Sequence, residues 1–284
     1  MTKISLRQKI DDSIALLRKG EKLALLMQPE DGYYVGFSGG KDSQVVLELC
    51  KMAGVKFRAV YNNTTIDPPP SVRFIRDNYP EVEFSNPKRN FFKLVERHGL
   101  PTRIIRFCCQ ELKERGGVGY VVVTGIRHQE SRNRGGYQQV MKKGKTKKDA
   151  EVKNLDKMES LNFQCVNGND KFMLYPILEW SETDVWQFIA RQKLPYNIVY
   201  DDSSRVGCLF CPFASTEQIL FNANKYPKHW ALLKKSFCKY LENKKDKALE
   251  TVDEYLDWWL SKGSIEEYKA QKAQLELFTE NETK

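Results

Sequence analysis

The chain has 284 residues, 41% of them hydrophobic, with 46 basic against 37 acidic side chains and a net charge of +9. That length and apolar content suit one large domain or a domain with an appendage and exclude a disordered tail. No apolar run approaches the roughly 20 residues of a membrane span, the polar start "MTKISLRQKIDD" predicts no signal peptide and so a cytoplasmic address, and the basic excess favours anionic partners.

Residues 4 to 28 carry Ile4, Leu6, Ile10, Ile14, Leu17, Leu23 and Leu26 at near-helical spacing, which predicts one or two amphipathic helices. "GYYVGF" reads as a strand and "DSQVVLELCKMAG" as a helix that ends at Gly54. Strand "KFRAVYNN", a proline-entered helix in "DPPPSVRFIRDNYP", strand "EVEFSN", helix "NFFKLVERHG" and the apolar strand "GYVVVTGI" follow. This alternation predicts an α/β fold with a doubly wound, mostly parallel sheet. A Lys-rich segment at about 141–158 breaks it and reads as an exposed insertion. "FQCVNGNDKFMLYPI" reads as a hairpin around Asn-Gly, and "SETDVWQFIARQK" as a helix with Ser181 and Asp184 in a capping box. From Ser215 the pattern is helical, with Trp230, Trp258 and Trp259 as expected buried anchors. The expected organisation is an N-terminal helical segment (1–30), an α/β domain (31–214) and a helical C-terminal region (215–284).

Between the first strand and its helix stands "GFSGGKDS", Gly36 to Ser43. Gly39 and Gly40 let backbone N–H groups approach oxygen anions, the helix N-terminus adds partial positive charge, and Lys41 adds a full one. Ser38 and Ser43 supply hydroxyls, and Asp42 either caps the helix or helps hold Mg2+ on the phosphates. This is a phosphate cradle. A second polar loop, "GIRHQESRNR", follows a buried strand. Arg127 is its best anion ligand, Arg132 a second catalytic candidate and Glu130 a group to orient either; His128 is either a base or, as a lone histidine in a polar loop more often is, a bystander. Asp67 either binds a metal or caps the next helix. Seven cysteines in a long chain predict no disulfide framework. Cys108 with Cys109, and Cys208 with Cys211, supply four thiols that suit a [4Fe–4S] cluster or Zn2+, with Arg106 and Lys113 flanking the first pair. Cys50, Cys165 and Cys238 read as space-filling.

"SGGKDS" after a strand resembles the PP-loop ATP pyrophosphatases, the adenine nucleotide alpha-hydrolase superfamily. "NNTTIDPP", "TGIRHQESRNR", "PILEWSETDVWQFI" and "LPYNIVYDDSSRVGCLFCPF" resemble, in order, segments of its phosphoadenosine phosphosulfate reductase-like family. The resemblance covers about residues 33 to 215. It implies ATP at the carboxyl ends of the strands, held by Ser38, Gly39, Gly40, Lys41, Asp42, Ser43 and Asp67. Adjacent cysteines with a distant Cys-x-x-Cys resemble the iron–sulfur branch, which implies a [4Fe–4S] cluster on Cys108, Cys109, Cys208 and Cys211, near the mouth of the active site, with zinc as the alternative. Sulfonucleotide reductases lack the Gly-Lys pair of the loop and carry a nucleophilic cysteine in a C-terminal segment. This sequence has Lys41 and ends in "LELFTENETK". The expectation is therefore an ATP pyrophosphatase that adenylates an oxygen for sulfur transfer, through Lys41, Asp42, Arg127 and Arg132. Nucleic-acid thiolation or DNA phosphorothioation comes first, with a nucleic acid and a sulfur donor such as a cysteine desulfurase as partners. Lys142, Lys143, Lys145, Lys147 and Lys148 are the expected basic path for that nucleic acid. The alternatives are a sulfate-assimilation enzyme, of ATP sulfurylase or phosphoadenosine phosphosulfate reductase type, and a non-catalytic nucleotide-binding iron–sulfur subunit.

Overall fold

The computed structural model describes residues 4–130, 134, 136–137, 139–142, 171–244 and 247–282. Contacts divide the chain into two compact units. The first comprises Met1–Asn63, Asp67–Asn86 and Lys113–Val206; the second comprises Thr64–Ile66, Pro87–Leu112 and Gly207–Lys284.

The first unit is built on a six-stranded sheet. Its strands are β1 (Tyr33–Gly36), β2 (Phe57–Asn62), β3 (Glu83–Ser85), β4 (Val121–Val123), β5 (Val140–Lys142) and β6 (Phe172–Leu174), in the order β3-β2-β1-β4-β6-β5. All pairings are parallel except β5 with β6. The α/β fold, doubly wound and mostly parallel, is thus the one expected. The chain runs outward from β1 through β2 to β3, then returns to place β4 on the other side of β1. That reversal point lies beyond the carboxyl ends of β1 and β4, where sheets of this kind bind ligands.

The helices of this unit are α1 (Leu6–Met27), α2 (Lys41–Ala53), α3 (Pro69–Asn78) and, further on, Glu182–Gln192. Of the one or two helices expected the chain forms one, the continuous α1, started by Ser5, whose hydroxyl accepts the Gln8 N–H. Gly54 ends α2 at φ 68, a left-handed conformation that costs glycine little. The core joins Leu17, Tyr33, Val35, Val45, Leu49, Val123, Ile177 and Phe188, each at most 3% exposed. β6 pairs antiparallel with β5, so Met141 and Lys142, the start of the expected Lys-rich insertion, belong to the sheet; the rest of that segment and the Asn-Gly turn lie outside the described residues.

The second unit contains α4 (Phe91–His98), which makes the Glu182–Gln192 helix of the first unit α5, and then α6 (Thr216–Lys225), α7 (Pro227–Glu242), α8 (Val252–Ser261) and α9 (Ile265–Glu282). Phe91, Leu94 and Val95 of α4 pack with Leu233, Phe237 and Leu241 of α7 and with Leu256 and Trp259 of α8. Only Trp259 is a fully buried anchor; Trp230 and Trp258 are half-buried, because each sits at the rim of this cluster. No helix among the described residues is long and apolar enough to cross a membrane.

Candidate functional site

The loop after β1 and the loop after β4 meet at the reversal point of the sheet. Gly39 has φ +71, and a Cβ there would stand 2.9 Å from Ile75, so the loop needs glycine for both conformation and space. Ser43 Oγ donates to Gly40 O at 2.8 Å and accepts from Ser38 N–H at 3.2 Å, which closes the loop on the first turn of α2. The N-cap of α2 is Gly40, with no side-chain cap bond. Asp42 therefore does not cap the helix. Its Oδ1 instead accepts from Arg127 Nε at 2.6 Å. Gly125 makes this meeting possible, since a Cβ there would lie 2.7 Å from the Asp42 carbonyl oxygen.

Lys41 is 5% exposed. A buried ammonium costs several kcal/mol unless it is compensated. Here Glu182 Oε1 lies 3.4 Å from Nζ and Asp42 Oδ2 3.8 Å. The ring centroids of Tyr200 and Trp186 lie 5.2 and 6.0 Å away, in cation–π range.

Arg127, 3% exposed, is oriented by Asp42 and by Gln129 Oε1, which accepts from Nη1 at 3.4 Å. Glu130 does not orient it, because Glu130 pairs with Arg134 one helical turn on. Arg132 lies outside the described residues, and so do the side chains of Lys142, Lys143, Lys145, Lys147 and Lys148. His128 sits between the Tyr137 carbonyl at 3.0 Å and Glu179 at 3.2 Å. Asp67 does not cap α3, whose N-cap is Pro68 without a side-chain bond; its Oδ2 accepts the Tyr61 hydroxyl at 2.6 Å.

Two residues missed in the sequence hold the loop. Asn197 Nδ2 donates to Gly39 O at 3.0 Å, and Asn197 is fully buried. Tyr200 Oη accepts the Lys41 N–H at 2.7 Å. Burial, with Asp42 and Glu182 nearby, pushes the Tyr200 hydroxyl far above its usual range, so it stays protonated. A polar residue in "LPYNIVYDD" between two apolar neighbours was the available signal, and it carries no chemistry by type alone.

The four cysteines belong to the second unit, all half-buried. Cys108 precedes a π-helical turn, Cys109–Lys113; Cys208 and Cys211 sit in the turn before α6. The Cys108 thiol is pushed up by its hydrogen bond with Cys109, by burial and by the charge of Cys208. Among the described residues no three acidic, histidine or cysteine side chains close on one point as ligands of a single ion. Zn2+ demands that closure, with every sulfur about 2.3 Å from one centre. A four-iron cube instead offers a separate iron to each thiolate and holds them farther apart. In the same unit Lys262 Nζ is screened from solvent without a hydrogen-bond partner and lies 5.0 Å from the centroid of the Trp259 ring. Arg106 is turned away onto the Phe213 ring, 5.4 Å from its centroid. Cys50 is fully buried in the first unit's core, Cys238 contacts Glu242, and Cys165 lies outside the described residues.

A cleft of about 830 Å³ lies elsewhere in this unit, lined by Arg89, Lys93, Glu96, Arg97 and Lys239 among others, and contains none of the residues singled out from the sequence.

Residues 32–214 match the phosphoadenosine phosphosulfate reductase domain family. The chain belongs to that family. An uncharacterized protein of Methanocaldococcus jannaschii is 27% identical over 210 residues, 69% of this chain and 39% of that protein. The chain thus spans about four-tenths of the length of that curated relative. An adenosine 5'-phosphosulfate reductase of Geobacillus kaustophilus is 32% identical over 58 residues, 19% of this chain and 25% of the relative. Among solved structures, FMN adenylyltransferase of Candida glabrata, in complex with FMN and an ATP analogue, is 16% identical at a TM-score of 0.46, covering 75% of this chain and 68% of that one.

Proposed function

We propose that the first unit binds ATP at Ser38–Ser43 and cleaves it between the α and β phosphates, adenylating an oxygen of its substrate so that sulfur can replace that oxygen. The observation that carries this reading is Lys41: a buried ammonium at the mouth of a glycine loop, at the reversal point of a parallel sheet. A single phosphate contact would not require it. A leaving pyrophosphate, with several negative charges, gives such an ammonium the most to stabilise.

The substrate oxygen forms a bond to the α-phosphorus while the bond to the β-bridging oxygen breaks. Backbone N–H groups of the loop and Lys41 receive the pyrophosphate, and Arg127, held by Asp42, faces the α-phosphate. Mg2+ on the phosphates would find Asp42 Oδ2, which Lys41 approaches at 3.8 Å. The AMP now attached makes the oxygen a good leaving group, and a sulfur nucleophile from a donor such as a cysteine desulfurase displaces it. The net charge of +9 supports a nucleic acid as acceptor, DNA for phosphorothioation or RNA for thiolation. Cys108, Cys109, Cys208 and Cys211 would hold a [4Fe–4S] cluster, which would supply a redox-active, sulfur-rich centre.

The test is pyrophosphate release from ATP with DNA, tRNA and sulfate supplied in turn. Release should depend on nucleic acid and should vanish in Lys41→Met, which keeps the aliphatic stem in place. Unchanged release in that variant refutes the loop assignment. A second reading, sulfate assimilation, is favoured by the local similarity to adenosine 5'-phosphosulfate reductase; release with sulfate alone would establish it instead.

A further inference from the structure

The cleft of about 830 Å³ in the second unit lies between α4 and α7. Arg89 precedes the N-cap of α4; Lys93, Glu96 and Arg97 lie on α4, and Lys239 and Glu242 on α7. α4 turns Phe91, Leu94 and Val95 into the core of this unit, which leaves Lys93 and Arg97 on its opposite face. Glu96 is half-buried between the two walls. Lys93 Nζ donates to its Oε2 at 2.8 Å and Lys239 Nζ to its Oε1 at 3.2 Å, so one carboxylate holds a lysine from each helix. Arg89 and Arg97 are exposed, and among the described residues neither has an ion-pair partner. Lys93 and Arg97 are also like charges one turn apart, a pairing that weakens a helix by itself.

Among the described residues, every side chain that lines the cleft is polar or charged. Pockets for small organic ligands are lined mostly by apolar and aromatic groups, and protein interfaces centre on buried apolar or aromatic anchors. Neither kind of ligand suits this lining. Phosphate does, because a guanidinium offers its oxygens two parallel N–H groups. Four residues of helix set Lys93 and Arg97 about 6 Å apart along the axis, close to the step between neighbouring phosphates on one strand. We infer that the α4–α7 cleft is a docking surface for the phosphodiester backbone of a nucleic acid. Arg89 and Arg97 are its free phosphate ligands, and Glu96 is the strut that keeps Lys93 and Lys239 in place. The inference rests on the reading of the acceptor as a nucleic acid and gives that acceptor a surface in the second unit.

The test follows anisotropy of fluorescein-labelled oligonucleotides, as single-stranded DNA, RNA and duplex DNA, bound to full-length protein across a salt series. Arg89→Ala with Arg97→Ala should weaken binding about tenfold to fiftyfold near ~0.1 M salt. The slope of log affinity on log salt should fall by about 1.4 for single strands and about 1.8 for duplex. Arg7→Ala with Lys22→Ala removes the same charge from exposed positions on α1 and should change affinity less than about threefold. Glu242→Gln takes an anion off the cleft wall and should tighten binding about fivefold, a gain that misfolding does not produce. Unchanged binding in the arginine pair, or an equal loss in both pairs, overturns the inference and leaves the nucleic-acid acceptor standing. Displacement by inorganic phosphate or polyglutamate at matched ionic strength, as effective as by unlabelled oligonucleotide, makes the cleft a site for a small anion or an acidic protein and overturns it too. Wild-type protein that binds no nucleic acid at low salt, and releases pyrophosphate without one, overturns the acceptor reading and the inference with it.

Discussion

The Asp42–Arg127 pair joins the loops after β1 and β4, and its removal has a calculable cost. Arg127 Nε and Asp42 Oδ1 are 2.6 Å apart; the arginine side chain is 4% exposed and the aspartate 21%. At an effective dielectric of about 20 the attraction is about 6 kcal/mol before desolvation is counted. Breaking a fully buried pair costs about 3–5 kcal/mol. Asp42→Asn keeps the shape and a neutral acceptor, and Asp42 is partly wet, so a loss of about 2 kcal/mol is expected. For a chain of this size that corresponds to a fall of about 4–8 °C in melting temperature. Arg127→Met removes the other partner. The double variant should be about 2 kcal/mol more stable than the sum of the single losses, because the second substitution no longer strands a charge. Calorimetry and denaturant melts of the four proteins close the cycle. Additivity to within about 0.5 kcal/mol would refute the argument that this pair locks the β1 and β4 loops together.

Tyr200→Phe should lower the melting temperature of nucleotide-free protein by a few degrees, because the Lys41 N–H loses its acceptor; ATP should erase the difference by supplying a phosphate oxygen, and an equal deficit with and without ATP would count against the loop as a phosphate site. Glu254 is held down at about 2 by Lys272 and by the N–H groups of Glu250 and Thr251. A depressed carboxylate stabilises the fold above its ordinary 4.5, and that contribution is lost as pH falls towards 2. The gap in melting temperature between wild type and Glu254→Gln should therefore narrow across that interval, and a constant gap would show the contacts to be idle. Anaerobic protein should be brown with about four irons and four sulfides, and Cys211→Ser should lose them; a colourless protein with one tightly held zinc would replace the cluster but keep the ligands.

The glycine loop between β1 and α2 and the parallel sheet were legible in the sequence because both depend on local rules. A run such as "GYVVVTGI" has nowhere to go but the middle of a sheet, and glycines between a strand and a helix open backbone N–H groups wherever they occur. The partners of those residues were not legible, since contact between distant segments depends on strand order. The β1–β4 neighbourhood brings Arg127 to Asp42 and takes Asp42 from the capping role that its place in the sequence allows. The same packing buries Lys41 under Tyr200 and Trp186, which lie about 150 residues away in the chain. In the second unit, periodicity predicts that α4, α7 and α8 are helices but not that Phe91, Phe237 and Trp259 share one cluster. Nor does a lysine after a helix announce that its charged end is buried beside Trp259. Hydrophobic pattern specifies which face turns inward; which other segment it meets there is settled by long-range packing.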